Sequence, residues 1–249
     1  MKRLIPNADD LGRTHGINTG IFEAHARGIV TSATAMVNYE GIREAAEFSR
    51  KHPGLGIGLH VALSGGRAAS DLSRIPSLVD AQGRQPAKPE GLGGAKPAEI
   101  AIEVQAQFDR FVEVFGRRPT HLDSHHHSHR RPEVFEVVCA LAVREGLPVR
   151  NAGGAMAGDL RVRGIRTNDA FEETFFDAGV SVDHLVAIID ALPEGTTEMM
   201  CHPAHEDAEL AASSSYAAVR VKELAALCDP RVRAAIDRGQ VRLVTFADL

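Results

Sequence analysis

Leu4-Ile-Pro-Asn-Ala-Asp-Asp-Leu-Gly12 is a short apolar run, residues 4–7, that ends in two carboxylates and a glycine. It reads as a strand and a turn. Apolar residues then return at helical spacing through Ile17, Ile21, Phe22 and Ala24, with Gly28 as the stop. The same order recurs downstream. Residues 31–37 are small and β-branched, and a helix over 41–51 ends at Pro53-Gly54. Residues 55–63 form a third strand, whose Gly56 and Gly58 mark close backbone approach. Residues 120–124 read as a strand before a helix over 132–145 that Pro132 begins. A short strand is expected at 148–151, and 153–168 reads as loop. Helices near 182–192, 215–227 and 231–238 alternate with strands at 198–201 and 241–246.

This alternation predicts an α/β fold with parallel strands. The unusual polar residues fall at the ends of several separate strands: Asp9 and Asp10, His60, His121 to His129, and His202. An open sheet gathers its site near one switch point, whereas a barrel assembles it from many strand ends. The expectation is a (β/α) barrel-like single domain over residues 1–249, related to the TIM barrel. Seven strands are readable, so fewer than eight fits. Residues 64–97, rich in glycine, proline and polar side chains, read as a long excursion over the surface.

Composition narrows the function. The 249 residues are 44% hydrophobic and 24% charged, enough to bury a sizeable core. Cys139, Cys201 and Cys228 are odd in number and widely spaced, which argues against a disulfide framework and for a reducing cytoplasm. A net charge of −5, with no basic run longer than a pair, disfavours nucleic acid and anionic membranes as partners. No stretch approaches the roughly 18 apolar residues of a membrane span, and Lys2-Arg3 is followed by too short an apolar run for an export signal.

The most specific feature is Pro119-Thr-His-Leu-Asp-Ser-His-His-His-Ser-His129, with five histidines in nine positions. In an extended chain His121, Asp123, His125, His127 and His129 share a face. Neutral imidazole is the commonest metal ligand, and Asp123 is placed to orient one. The competing reading is a solvated, histidine-rich loop. Asp9 and Asp10, taken alone, are ordinary turn chemistry. A lone histidine in an apolar strand, as in Gly56-Ile-Gly-Leu-His60 and Met199-Met-Cys-His-Pro203, is ordinarily a satisfied core residue. Their joint occurrence points instead to an open metal site of the Asp/His/His kind, with room for water or substrate. His15, His25, His52 and His184 read as structural. No phosphate loop, nucleophile elbow or Cys-x-x-Cys motif is present.

The chain resembles the YdjC-like carbohydrate deacetylases, which include chitooligosaccharide deacetylases and a hopanoid-associated branch. The resemblance runs nearly end to end. It rests on Asn7-Ala-Asp-Asp-x-Gly12, Gly28-Ile-Val-Thr-Ser-Ala-Thr34, Gly58-Leu-His60, Phe115-Gly-Arg-x-Pro-Thr-His-Leu-Asp-Ser-His-His-His127 and Met200-Cys-His-Pro203. It implies a barrel-like fold and a metal-dependent hydrolase that removes acetyl groups from N-acetylated amino sugars. By the same resemblance the metal ligands fall on Asp10, His60 and His125, the general base on Asp9, and an active-site histidine on His202. Asp123, His127, His129 and Arg150 are expected to support the site or meet substrate. The ion is zinc, manganese, cobalt, nickel or magnesium, and two imidazoles favour the softer of these.

The chain departs from the family pattern at Pro6, Leu11 and His205. It has no Trp and only Tyr39 and Tyr216, so a sugar platform must come from Phe171, Phe175, Phe176 or a tyrosine. A second subunit of a homodimer could complete the rim. Two other readings remain: metal-assisted hydrolysis of another ester, amide or phosphoester, the last served by Arg67, Arg130, Arg131 or Arg150, and a non-catalytic metal- or sugar-binding protein. A pair of adjacent carboxylates argues against pure binding, which gains nothing from a carboxylate that holds no ion.

Overall fold

The computed structural model describes residues 1–249, and its first strand organises the rest. β1 (Lys2–Leu11) leads to α1 (His15–Arg27), then β2 (Ser32–Ala35), α2 (Ile42–Lys51) and β3 (Gly56–Val61). After the excursion come α3 (Pro97–Phe115), β4 (Leu122–Ser124) and α4 (Pro132–Glu145). α5 (Met156–Val162), β5 (Ala170–Glu172), α6 (Val182–Asp190) and β6 (Gly195–Cys201) follow. α7 (Ala208–Ser213), α8 (Ala217–Leu227), α9 (Pro230–Arg238) and β7 (Arg242–Leu243) complete the order. The strands lie as β4-β3-β2-β1-β6-β5 with every pairing parallel, and β7 pairs with the start of β1.

Irregular chain carries the hydrogen bonding on from β4 toward β5. Leu122 N–H donates to Pro148 O at 2.9 Å, and Val149 N–H donates to Arg166 O at 3.0 Å. Asp169 N–H donates to Thr196 O of β6 at 2.8 Å. The sheet therefore curls around an interior, as expected of a barrel-like fold with fewer than eight strands. Pro6 is tolerated in the central strand because it lies where β1 changes neighbour. Leu4 pairs with Leu243 of β7, and Asn7 already pairs with Ser32 of β2.

Alternation along β1 separates two cores. Leu4 and Ala8 point outward into a cluster of 52 buried apolar residues beneath the helices. Ile5 points inward to a small floor made with Val244 and Phe246. Above that floor the interior is polar. His121 stacks on Phe246 with centroids 3.8 Å apart, which only glycine at position 58 permits, since a Cβ there would lie 2.5 Å from the ring. The excursion is tied down rather than loose. Ile75, Leu78 and Leu92 are buried, and the Glu103 carboxylate of α3 accepts the N–H groups of Ala69 and Ser70.

Some expectations change. The strand expected at 148–151 is a single bridge from Val149 to Leu122, and 241–246 contributes only Arg242–Leu243. α5 lies inside the stretch read as loop. It is a seven-residue helix that buries only Leu160, too little to imprint a periodicity. β5 and α7 were likewise not foreseen. β5 is three partly buried residues, and α7 is six residues capped by Asp207, whose side chain accepts from Leu210 N–H.

Candidate active site

Arg150 sits at the centre of the polar interior, fully buried. Its Nη1 and Nη2 donate to the two Asp9 oxygens at 2.8 and 2.7 Å, and Nε donates to Glu198 at 2.7 Å. Asp123 lies 3.0 Å away. Burial opposes ionisation of Asp9, yet Arg150, followed by His60 and His202, holds its carboxyl below the ordinary range. Glu198 goes the other way. Burial, with Asp123 and Asp9 nearby, outweighs Arg150 and pushes it up to about 8.

The pairing register of β1 with β2 shifts between Ala8 and Leu11, and Asp10 has φ +71°. In a regular strand Asp9 and Asp10 would face opposite sides. The irregularity brings both to one cleft, a common use of bulges. Asp10 Oδ1 lies 3.1 Å from His125 Nδ1 and 3.5 Å from His60 Nε2. This oxygen is buried and has no hydrogen-bond partner. The other Asp10 oxygen accepts from Arg220. Against the cost of burial, Arg220 and then His125 and His60 hold this carboxyl well below its usual range.

His60 is anchored from behind, its Nδ1 2.6 Å from Asp123 Oδ1 and 3.1 Å from Thr34 Oγ1. That bond leaves Nε2 toward Asp10, the arrangement by which carboxylates orient metal-binding imidazoles. Burial disfavours its protonation, but Asp123, Asp9 and Asp10 together push His60 up to about 9 in the absence of an ion. Burial lowers His125 below the ordinary histidine value despite Asp10 beside it. The three donor atoms lie within 4.8 Å of one another. A carboxylate oxygen without a partner, flanked by two imidazole nitrogens, fits a divalent cation. Asp9, His60 and Asp123 also approach one another, but there the Arg150 guanidinium already supplies the positive charge.

The face shared by alternate residues extends only over His121 and Asp123. β4 ends at Ser124, and residues 125–130 coil into a 3-10 turn with His126 and His127 in the left-handed region. The coil points His125 at Asp10 and leaves His126 on Ser64 Oγ at 3.0 Å. His127 lines the cleft 3.9 Å from Glu173. His129 does not reach the cleft. It is buried, and its Nδ1 meets Ser124 Oγ at 2.5 Å. Burial and then Arg150 lower it to about 3. His121 is deeper still, its Nε2 3.2 Å from Asn7 Oδ1.

His202 leaves the end of β6 on the opposite wall, its side chain 12% exposed. α8 frames that wall. Tyr216 at its start, Arg220 and Glu223 share a stripe, and Glu223 accepts from the His202 backbone N–H and the Tyr216 hydroxyl. The cleft between these walls holds about 490 Å³ and is lined by Asp9, Asp10, His60, His125, His127 and His202 among others. Phe176, 41% exposed, stacks on Tyr216 with centroids 4.5 Å apart and lines the cleft. Phe175 is wholly buried, and Phe171 covers Arg150.

Sequence reasoning missed Arg220, Glu223 and Glu198. A signal existed: Arg220 and Glu223 fall on the face of α8 that also buries Leu224 and Leu227, and Glu198 directly precedes the apolar run Met199-Met200-Cys201. Of the arginines considered for phosphate, Arg130 is engaged by Ala152 O and Glu173, Arg131 by Glu133, and Arg150 by Asp9.

The molecule is a barrel-like α/β sheet that carries an Asp/His/His set and a second carboxylate at its strand ends. Residues 3–238 match the family model described as YdjC-like protein. The chain belongs to the YdjC-like family. It is 43% identical over 245 residues to a carbohydrate deacetylase of Geobacillus stearothermophilus, covering 98% of this chain and 96% of the relative. It is 40% identical to a chitooligosaccharide deacetylase of Serratia marcescens, covering 100% and 99%. A solved structure from Enterococcus faecalis, labelled for cellobiose-phosphate cleavage, superposes with a TM-score of 0.94 at 33% identity, covering 99% and 98%. A family 4 carbohydrate esterase from Streptomyces lividans shares the fold with a TM-score of 0.56 at 12% identity, covering 97% and 91%. No helix is long and apolar enough to cross a membrane.

Proposed function

We propose that the protein is a metal-dependent hydrolase that removes the acetyl group from an N-acetylated amino sugar, chito-oligosaccharide-like or glycolipid-linked. The observation that carries this reading is the Asp10 oxygen, buried and without a partner, between His60 Nε2 and His125 Nδ1. Asp10, His60 and His125 would hold the ion. When bound, a divalent ion there would supply Lewis acidity toward the acetyl carbonyl and toward water. The remaining work belongs to the chain. Asp9, kept ionised by Arg150, takes the proton of the attacking water. His202, from another strand end, gives a proton to the departing nitrogen, which leaves poorly as an anion. Phe176, stacked on Tyr216, offers the sugar an apolar face. The names of the most similar relatives support the substrate class. The three cysteines are unpaired, which supports a cytoplasmic setting.

The test is acetate release from a panel of N-acetylated sugars, with the protein loaded in turn with zinc, cobalt, manganese, nickel and magnesium. Release that chelation abolishes and metal restores is expected. Turnover of phosphoesters without acetate release from any sugar would replace this reading.

A further inference from the structure

Glu223 is a buried carboxylate to which the proposed chemistry gives no task. Burying such a group is costly unless it is bonded, and its bonds all lead to one place. One oxygen accepts the His202 backbone N–H. Oε1 accepts the Tyr216 hydroxyl at 2.6 Å and stands 3.7 Å from His202 Nδ1. That Nδ1 is buried and has no hydrogen-bond partner. The two ring nitrogens lie on different edges, so an Nδ1 turned to Glu223 leaves Nε2 for the cleft that His202 lines.

We infer that Glu223 is a positioning residue for His202: it holds the imidazole with Nδ1–H turned inward, so that Nε2 is the atom that faces the cleft and exchanges a proton there. The inference rests on the reading of His202 as the acid. Closing 3.7 Å to hydrogen-bond range takes about 1 Å of ring movement. An ionised carboxylate only accepts, so it selects the ring with its proton on Nδ1. The other groups facing His202 do less. The rings of Phe176 and Tyr216 lie 5.6 and 5.8 Å away and carry no charge, burial and then Glu223 raising the Tyr216 hydroxyl above its ordinary value. Asp9 interacts with His202 across the cleft but is clamped by Arg150. Arg220 and Glu173 line the same cleft.

The experiment is nitrogen NMR of labelled histidine in the zinc-loaded protein, which reads the His202 tautomer, comparing the native chain with Glu223→Gln. The variant keeps an acceptor for the His202 N–H and removes the charge. The native ring should carry its neutral-form proton on Nδ1 and the variant should show a mixture of the two tautomers, with acetamide hydrolysis falling about 10-fold. Hydrolysis of an aryl acetate, whose leaving group needs no proton, should change less than about twofold. Tyr216→Phe frees Oε1 for the ring and should keep the Nδ1–H tautomer, which gives a second reading if Glu223→Gln folds poorly. A tautomer unchanged in Glu223→Gln, or equal losses on amide and ester in it, overturns the inference. His202→Ala separates it from the reading beneath it. Equal losses on amide and ester in that variant remove the acid role, and the NMR tautomer then still decides whether Glu223 sets the ring.

Discussion

The barrel has two buried regions built on opposite principles. Outside the sheet, 52 apolar residues pack under the helices. Inside it, above the floor of Ile5, Val244 and Phe246, the buried side chains include Asn7, Asp9, Thr34, His60, His121, Asp123, Arg150 and Glu198. The outer layer is stabilised by area removed from water, roughly 25 cal/mol per Å², and any well-shaped apolar side chain contributes. The inner layer gains little in this way, because each buried ion costs several kcal/mol in lost hydration and regains it only through well-placed partners. What the inner layer supplies is fixed geometry: Arg150 fixes Asp9, Asp123 fixes His60, and neither can shift without leaving a charge unpaired.

Four tests probe this difference. The largest effect is expected at the ion. His60→Ala and His125→Ala should each lose stoichiometric metal by elemental analysis, with activity falling to background, and a full equivalent retained in either variant removes that residue from the ligand set. Next, Asp9→Asn should keep fold and metal while turnover falls about 10²–10⁴-fold. Loss of the ion in that variant would make Asp9 a ligand.

Third, Arg150→Met should cost about 3–5 kcal/mol in urea unfolding, since it strands three buried carboxyl groups. Phe111→Leu in the outer layer should cost less and equally at every pH, whereas the Arg150→Met cost should shrink on acidification. A pH-independent cost in Arg150→Met would mean that the charges do not matter to it.

The smallest effect concerns Glu198. Its folded value, about 8, lies above the ordinary 4.5, so its contribution is present below pH 4.5 and is lost as pH rises through 8. His60 acts in the same direction between 6.5 and about 9 in the metal-free protein. Chelated protein should therefore lose stability from neutral to alkaline pH, and Glu198→Gln should flatten the part of that slope below pH 8. An unchanged slope in Glu198→Gln would place the titration elsewhere.

The outer layer was largely legible in the sequence, because apolar periodicity reports which face a helix or strand buries. α1, α2 and α4 fall within a few residues of their expected bounds for this reason. The ends of the strands that carry chemistry were legible too, because charge or histidine at the end of an apolar strand has few cheap explanations. What the pattern could not convey was inward orientation once the backbone left regularity. The left-handed turn at His126 and His127 removes His129 from the cleft, and the positive φ at Asp10 adds that residue to it. Neither follows from alternation. Arg150 lay in a short stretch expected as strand, but its three carboxylate partners come from β1, β4 and β6, far apart in the chain. Glu223 was hidden by its place in a helix, where a glutamate is ordinarily a solvated residue.

The position of β1 also has a cost in time. It is central in the sheet, and its two neighbours come from distant parts of the chain. On one side it finds β2 within a few dozen residues, but on the other it pairs from Lys2↔Gly195 to Ala8↔Cys201. At about 5–20 residues per second a ribosome needs on the order of 10–40 s to deliver that partner. Throughout this interval one edge of β1 stands open, with Leu4, Ile5 and Ala8 available to any other nascent strand. The strand that closes that edge carries His202 at its tip, so the pairing that shields β1 also delivers the far wall of the cleft.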